Sequence, residues 1–327
     1  MNYTQYQWLV FYFIYCFIGW VWESSYVSIR HKRWVNRGFL FGPALPIYGF
    51  GAIVMLFATL SVRDNIFLTF LFGMLAATLL EYITGTLGES IFHVRYWDYS
   101  NQPFNLQGYI CLSSSLCWGV FSVLLTRYVH LPIEKLVYMM NETFLKPLTL
   151  FLLFFHVVDI IMSAQSAFSL KKILSGLAEK NKTIASVEEA LEKISLGVSE
   201  DSSKFKAQLQ QLNEDIKNLK SAGESRIQEN NQRRRKHIVL LKNKAQLILS
   251  KIEQQLNSED LNKDRLADTK SSLEYIQEKL DAISTSIGLN ADKKYAHSMS
   301  ILRRNPTAHS KKYAEELKEL HKMSSKK

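Results

Sequence analysis

Apolar residues lie in long runs in the first half of the chain and at regular intervals in the second. Five runs, at about 7–27, 39–60, 66–88, 109–128 and 148–168, have roughly the 20 mainly apolar residues that carry a helix across a bilayer. Each predicts a membrane span. Farther on, Phe205, Leu209, Leu212, Ile216 and Leu219 step by 4, 3, 4, 3, while Ile238, Leu241, Ala245, Ile248 and Ile252 step by 3, 4, 3, 4. Leu273, Ile276, Leu280, Ile283 and Ile287 repeat that alternation, and Leu177, Ile184, Val187, Leu191, Ile194 and Val198 follow the same template. These are heptad seams. Breaks are expected at "SLGVSEDSS", at "NSEDLN" with Asn257 or Ser258 as a cap, and at Gly288.

The pattern predicts an all-α chain: a five-span membrane bundle over 1–169, cytosolic coiled-coil helices over 170–289 and a basic, mobile tail over 290–327. Heptads this short do not separate a coil folded back on itself from one paired between subunits, so a homo-oligomer or a protein partner docked on the coil both stay open.

The second run contains "NRGFLFGPALPIYGFG", Asn36 to Gly51, with four glycines and two prolines. Pro43 and Pro46 remove amide donors and clash with the preceding turn, and backbone groups freed at membrane depth persist only inside protein or beside a watery cavity. A Pro/Gly-interrupted second span therefore predicts the wall of a polar pocket.

Composition sharpens the division. All 6 tryptophans and all 3 cysteines fall at or before Trp118, where the thiols are expected to pack rather than form a disulfide framework. Residues 1–169 carry 9 Lys and Arg against 8 Asp and Glu, which leaves 31 against 22 for the rest and puts nearly all of the net +10 in the second half. Arg30, Lys32, Arg33 and Arg37 crowd the first loop, Arg63 alone marks the second, and Lys171 and Lys172 follow the fifth span. The positive-inside rule then gives a multi-pass cell-membrane protein with its N-terminus outside and its C-terminal half cytosolic, although Arg127, Lys135 and Lys146 in the fourth loop run against it. The first run lacks a basic lead and a cleavage pattern, so it reads as a retained helix.

Acids inside the spans are the candidate chemistry. Insertion of a central acid costs about 2.5–3.5 kcal/mol. At about 1.5 Å per residue, Glu23 and Glu81 reach one level in the cytosolic half, together with Pro43, Pro46 and Ser113 to Ser115. Intramembrane ionisable groups commonly mark a site or pathway, although protonated or hydrogen-bonded acids that merely pair helices are the plainer account. Glu81, Gly85, Gly88 and Glu89 share one helix side, where small residues admit a neighbour. In the third loop, "HVRYWDYSNQPFNLQGY", aromatic anchors surround Asp98 and Asn105; this is either a turn holding two helix ends or a plug over the pocket. Asp159 lies roughly 16 Å into the core on the fifth span.

"GWVWE", "NRGFLFGPALPIYG", "EYITG", Glu89 and "WDYSNQPFN" with Gly108 resemble the membrane family of ABC-transporter permeases of the CmpB type, over about residues 6–165. The resemblance implies a transport component whose substrate is undefined. Candidate pocket residues are Glu23, Glu81, Glu89, Asp98, Asp159, Asn36, Arg37, Pro43, Pro46, Tyr48 and Asn105.

Other chemistries fare worse. No G-x-x-x-x-G-K-[ST] loop is present, so an ATPase would be a separate subunit. Glu89 with His93 and His156 with Asp159 have chelating spacing but no completing ligands, and neither a metal, a cofactor nor catalysis is expected. "RRRK" (Arg233 to Lys236) and the basic tail suit anionic lipid; nucleic acid is disfavoured because the tail offers no stacking platform. The alternative to transport is a membrane-anchored scaffold or signalling protein acting through its coiled coil.

Overall fold

The structure, a computed structural model, describes residues 3–197, 203–221, 227–256, 263–287 and 293–324. The described residues are almost entirely helical, and the chain forms two compact units. Unit 1 comprises Met1–Lys172 and His297–His321; unit 2 comprises Ile173–Ala296 and Lys322–Lys327. Unit 2 is thus inserted, along the chain, into unit 1.

Unit 1 begins with α1 (Gln5–His31), opened by a capping box in which the Gln7 amide donates to Thr4 Oγ1 at 3.4 Å and the Thr4 amide to Gln7 Oε1 at 2.9 Å. The chain then runs without helix to α2 (Pro46–Thr59), whose first residue is a proline, the position where its missing donor costs least. Next come α3 (Ile66–Phe92), a two-residue hairpin of β1 (Asn105–Leu106) and β2 (Ile110–Cys111), α4 (Leu112–Leu124), α5 (His130–Tyr138) and α6 (Glu142–Gly197). Close helix approaches rest on glycine. A Cβ on Gly19 would fall 2.2 Å from Tyr48, and one on Gly73 2.1 Å from Ser122, so α1 meets α2 and α3 meets α4 at small residues.

Among the described residues, three stretches are long and apolar enough to cross a membrane: Ile66–Phe92, Leu112–Tyr138 and Glu142–Leu196. The stretch Pro46–Val62 is a shorter apolar helix. The helix α1 matches α3 in length, but its serines, tyrosines, tryptophans and Glu23 leave it less apolar.

Several boundaries correct the sequence pattern. The fourth run, expected at 109–128, continues as helix to Tyr138 through a π turn at Leu125–Val129. Pro132 has no amide to donate to the Tyr128 carbonyl, and a wider turn accommodates that loss. Beyond Pro147, α6 runs unbroken to Gly197, while the first unit passes into the second at Lys172, three residues beyond the expected division at 169. Residues 297–321, expected as part of a mobile tail, instead pack into unit 1 through the end of α10 (Lys293–Arg304) and α11 (Ala314–Ser324). The reason is chemical: Met299, Ile301 and Leu302 are buried, and so are Arg304, Asn305 and Ser310, which find hydrogen-bond partners on other loops.

In unit 2 the distal part of α6 joins α7 (Ser203–Ser221), α8 (Ile227–Leu256) and α9 (Lys263–Ile287) around one apolar cluster. Leu191, Ile238, Leu241, Ala245, Ile248, Ile252, Leu273 and Leu280 are fully buried there. The expected breaks in 198–202, 257–262 and at 288 lie outside the described residues.

Candidate functional site

A cavity of about 400 Å³ in unit 1 brings together α1, α2, α3, α4 and the loops beside them. Glu23 and Glu81, 58 positions apart in sequence, both line it, as do Arg37, Pro46 and Tyr48. Each acid has its own partners. Tyr48 donates its hydroxyl to Glu23 Oε1 at 2.9 Å, and Arg37 Nε lies 3.6 Å from Glu23 Oε2. Glu81 is buried and accepts from Tyr99 at 3.1 Å, Trp118 Nε1 at 3.0 Å and Ser114 at 3.4 Å. The two sets meet where the Tyr48 and Trp118 rings lie 6.2 Å apart. Among the described residues no cation bridges Glu81, so the lining carries two acids against one guanidinium.

Asp159 and Asn36, which do not line this cavity, help to hold the helix-free lead into α2. Asp159, expected as a pocket acid, accepts from the amides of Phe41 at 2.9 Å and Gly42 at 2.7 Å, and from Ser163 at 3.1 Å. It satisfies backbone donors that the break has freed, which is what a buried amide requires. Gly42 admits it closely, since a Cβ there would lie 2.9 Å from Asp159 Oδ2. Asn36 accepts from Trp20 Nε1 at 2.6 Å and donates to the Phe41 carbonyl at 2.7 Å, bracing the same turn. Pro43 is exposed.

The third loop forms a separate polar knot. Glu89 accepts from Arg95 Nε at 2.5 Å and Tyr109 at 2.5 Å, and Arg95 Nη1 donates to the Gln107 carbonyl at 2.8 Å while lying 3.6 Å from Asp98. Burial alone would raise the Asp98 carboxyl, but donation from Ser100 and the Arg95 charge hold it below the usual range. Asn105 closes the turn by accepting from the Gly108 amide at 3.0 Å. Gly108, at φ +78°, leaves no room for a side chain: a Cβ would meet Ser100 at 2.4 Å and Asp98 at 2.5 Å. Glu89, Asp98 and Asn105 therefore build the loop and stand outside the cavity lined by Glu23 and Glu81.

Residues 297–321 complete this end of the unit. Arg95 and His309 exchange backbone hydrogen bonds at 2.6 and 2.8 Å. Asn305 accepts from Arg37 Nη1 at 3.1 Å, donates to the Gly38 carbonyl at 2.9 Å and lines the cavity. Arg304 donates to the Phe39 carbonyl at 3.0 Å and lies 3.9 Å over the Phe41 ring. Burial pulls its guanidinium down to about 10, opposed by Asp159 and Tyr96, so it stays charged at neutral pH.

Residues 10–164 match the model of a family described as "Putative ABC-transporter type IV". This stretch is similar to the CmpB-type family. The stretch holds α1 to α5, both cavity acids, the interrupted lead to α2 and the Arg95 knot, so the resemblance drawn from the motifs is the family found. The similarity and the long apolar helices point to a membrane protein. No curated protein and no solved structure matches the chain. The CmpB-type stretch ends before most of α6, all of unit 2 and the segment 297–321.

Several residues escaped the sequence reading. Trp118 and Arg95 were not singled out, whereas Ser114 was placed at the level of Glu81 and Tyr99 belonged to the third-loop motif. A second buried cluster joins Tyr3 to residues of α1 and α5: Tyr3 donates to Glu134 at 2.5 Å, and His130 sits between Tyr3 at 3.1 Å and Tyr15 at 2.8 Å. Ending the fourth span at 128 had put His130 and Glu134 in a loop. Helical spacing of four, continued past Pro132, would have found them.

Proposed function

We propose that unit 1 is the membrane-spanning component of a transport system, with α1, α2 and its lead-in, α3, the α4–α5 helix and the first part of α6 as five crossings. The reading is carried by one observation: acids from two separate helices line the same cavity beside a helix that begins only at Pro46. Discontinuous helices at the binding level are the usual device of transporters, and the CmpB-type match supports the same class.

The N-terminus lies outside, and loops one and three with the C-terminal half are cytosolic. Support comes from the Arg30 to Arg37 cations and from residues 297–321, which hydrogen-bond to both loops and so belong on their side. Energy comes from a separate ATPase chain. Unit 2 works as a coiled-coil arm; the scaffold alternative and pairing between copies receive no comparable support.

Two acids against one guanidinium, surrounded by Tyr48, Trp97, Tyr99 and Trp118, suit an amphipathic organic cation, because aromatic faces and carboxylates both favour positive charge. Titrating the full chain in mild detergent with benzyltrimethylammonium should change tryptophan emission saturably. Glu81→Gln should weaken that response about tenfold or more, the equivalent of one ion pair. Equal response to benzenesulfonate, or no effect of Glu81→Gln in a protein of unchanged size-exclusion profile, would remove the assignment. An ATPase-bearing chain should co-purify in the same detergent.

A further inference from the structure

The chain leaves unit 1 at Lys172 and returns to it at His297, outside the stretch the family accounts for. A polar return segment with no task would stay solvated. This one buries Asn305 at 1% exposure and Arg304 at 6%.

Its contacts fall on the elements that make the cavity. Arg304 holds Phe39 and Phe41 of the lead into α2, Asn305 holds Gly38, Thr307 donates to the Tyr96 carbonyl at 3.4 Å, and Ser310 donates to the His93 carbonyl at 2.6 Å. One side chain links acid and segment: Arg37 lies 3.6 Å from Glu23 and donates to Asn305 at 3.1 Å. Asn305 is itself part of the lining.

We infer that residues 304–310 are an integral wall of the binding site, with Asn305 as a ligand-facing residue, and that they form a strap across its cytosolic mouth. The inference rests on the cavity reading above. Chemistry fits the role. The strap is held by hydrogen bonds, one cation–ring contact and a two-residue backbone bridge, interactions worth about 1 kcal/mol each that open one at a time. A ligand passing between cavity and cytosol displaces Asn305 from Gly38 and Arg37.

The test is accessibility of Ile47, which lines the cavity and takes no part in the polar contacts. In the full chain carrying Ile47→Cys and Cys117→Ser, a membrane-impermeant maleimide is applied to inside-out vesicles. Labelling should be slow, and Arg304→Ala with Asn305→Ala should speed it about tenfold or more. Asn305→Leu keeps the number and branching of side-chain heavy atoms, removes the hydrogen bonds, and should also speed labelling; it serves where the double variant does not fold. Fast labelling of the parent, or unchanged rates in both strap variants, overturns the strap. Neither result touches the cation-binding test, so loss of the strap and loss of the cavity reading are told apart.

Discussion

Units 1 and 2 are both built from helices, yet they sort their side chains in opposite ways. Unit 1 buries Glu81, Arg95, His130, Glu134, His156, Arg304 and Asn305 and turns Phe, Trp, Ile and Leu outward along its spans. Unit 2 buries aliphatic side chains; among its described residues Lys244 is the one buried polar group, and only Leu196, Val239 and Tyr275 are exposed large hydrophobics. Water makes apolar contact the force that assembles unit 2. In a bilayer, apolar contact with neighbouring helices gains little over contact with lipid tails, so small residues and hydrogen-bonded polar groups select the neighbours. The difference teaches where substitutions will hurt.

The largest effect is expected at the Arg95 knot. Arg95→Ala removes the cation paired with Glu89, opens the Gln107 contact and leaves a carboxylate in a part-buried site. Breaking a buried pair on one side costs about 3–5 kcal/mol. Thermal unfolding of the purified chain in detergent should fall accordingly, and labelling of residues 93–109 should rise. A midpoint unchanged from wild type would mean that polar contacts do not hold this unit together.

How much of this was legible follows from the range of each interaction. The five apolar runs, the interruption before α2 and the heptad seams are local patterns, and Leu241, Ala245, Ile248 and Ile252 are buried together as their spacing implies. Depth along their helices, a one-dimensional argument, singled out Glu23 and Glu81, and both line one cavity. Asp159, expected at the same pocket, does not line it. Its partners are the amides of Phe41 and Gly42, more than a hundred residues away, and nothing in the residues near Asp159 specifies them. The strap was missed because lysines and arginines around it read as a solvated tail; the apolar Met299, Ile301 and Leu302 before Pro306 were the available signal.

A surface charge distinguishes the two solvents with a somewhat smaller effect. Phe154 on α6 is 63% exposed and Val239 on α8 is 53% exposed. Phe154→Lys places an ammonium against acyl chains at a cost of about 2.5–3.5 kcal/mol, whereas Val239→Lys on a solvated helix should change stability by about 0.5 kcal/mol or less. The amount of protein recovered in the membrane fraction should drop for the first variant and hold for the second. Equal behaviour of the pair would erase the distinction between a lipid-facing and a water-facing surface.

The smallest effect concerns Lys244, the exception inside unit 2. Its ammonium donates to Asn213 at 2.8 Å within an otherwise aliphatic core. Burial lowers its pKa, against the pull of Glu192 and Glu188. The sign follows directly. Between that lowered value and the ordinary lysine value of about 10.4, the unfolded chain holds a proton that the folded chain has released, so stability rises with pH across this window. Lys244→Met fills the same volume and leaves only the exposed Asn213 without its partner. It should change stability by about 1 kcal/mol or less, with gain as probable as loss, since apolar replacements of buried charges are often neutral or better. The pH dependence is the sharper readout. Hydrogen exchange of the α8 peptides in the full chain, taken as a wild-type to Lys244→Met ratio so that intrinsic rates cancel, should show wild-type protection improving relative to the variant as pH increases. A flat ratio would mean that Lys244 keeps its proton in the folded state as readily as in water, and that the core of unit 2 is wetter than its aliphatic lining implies.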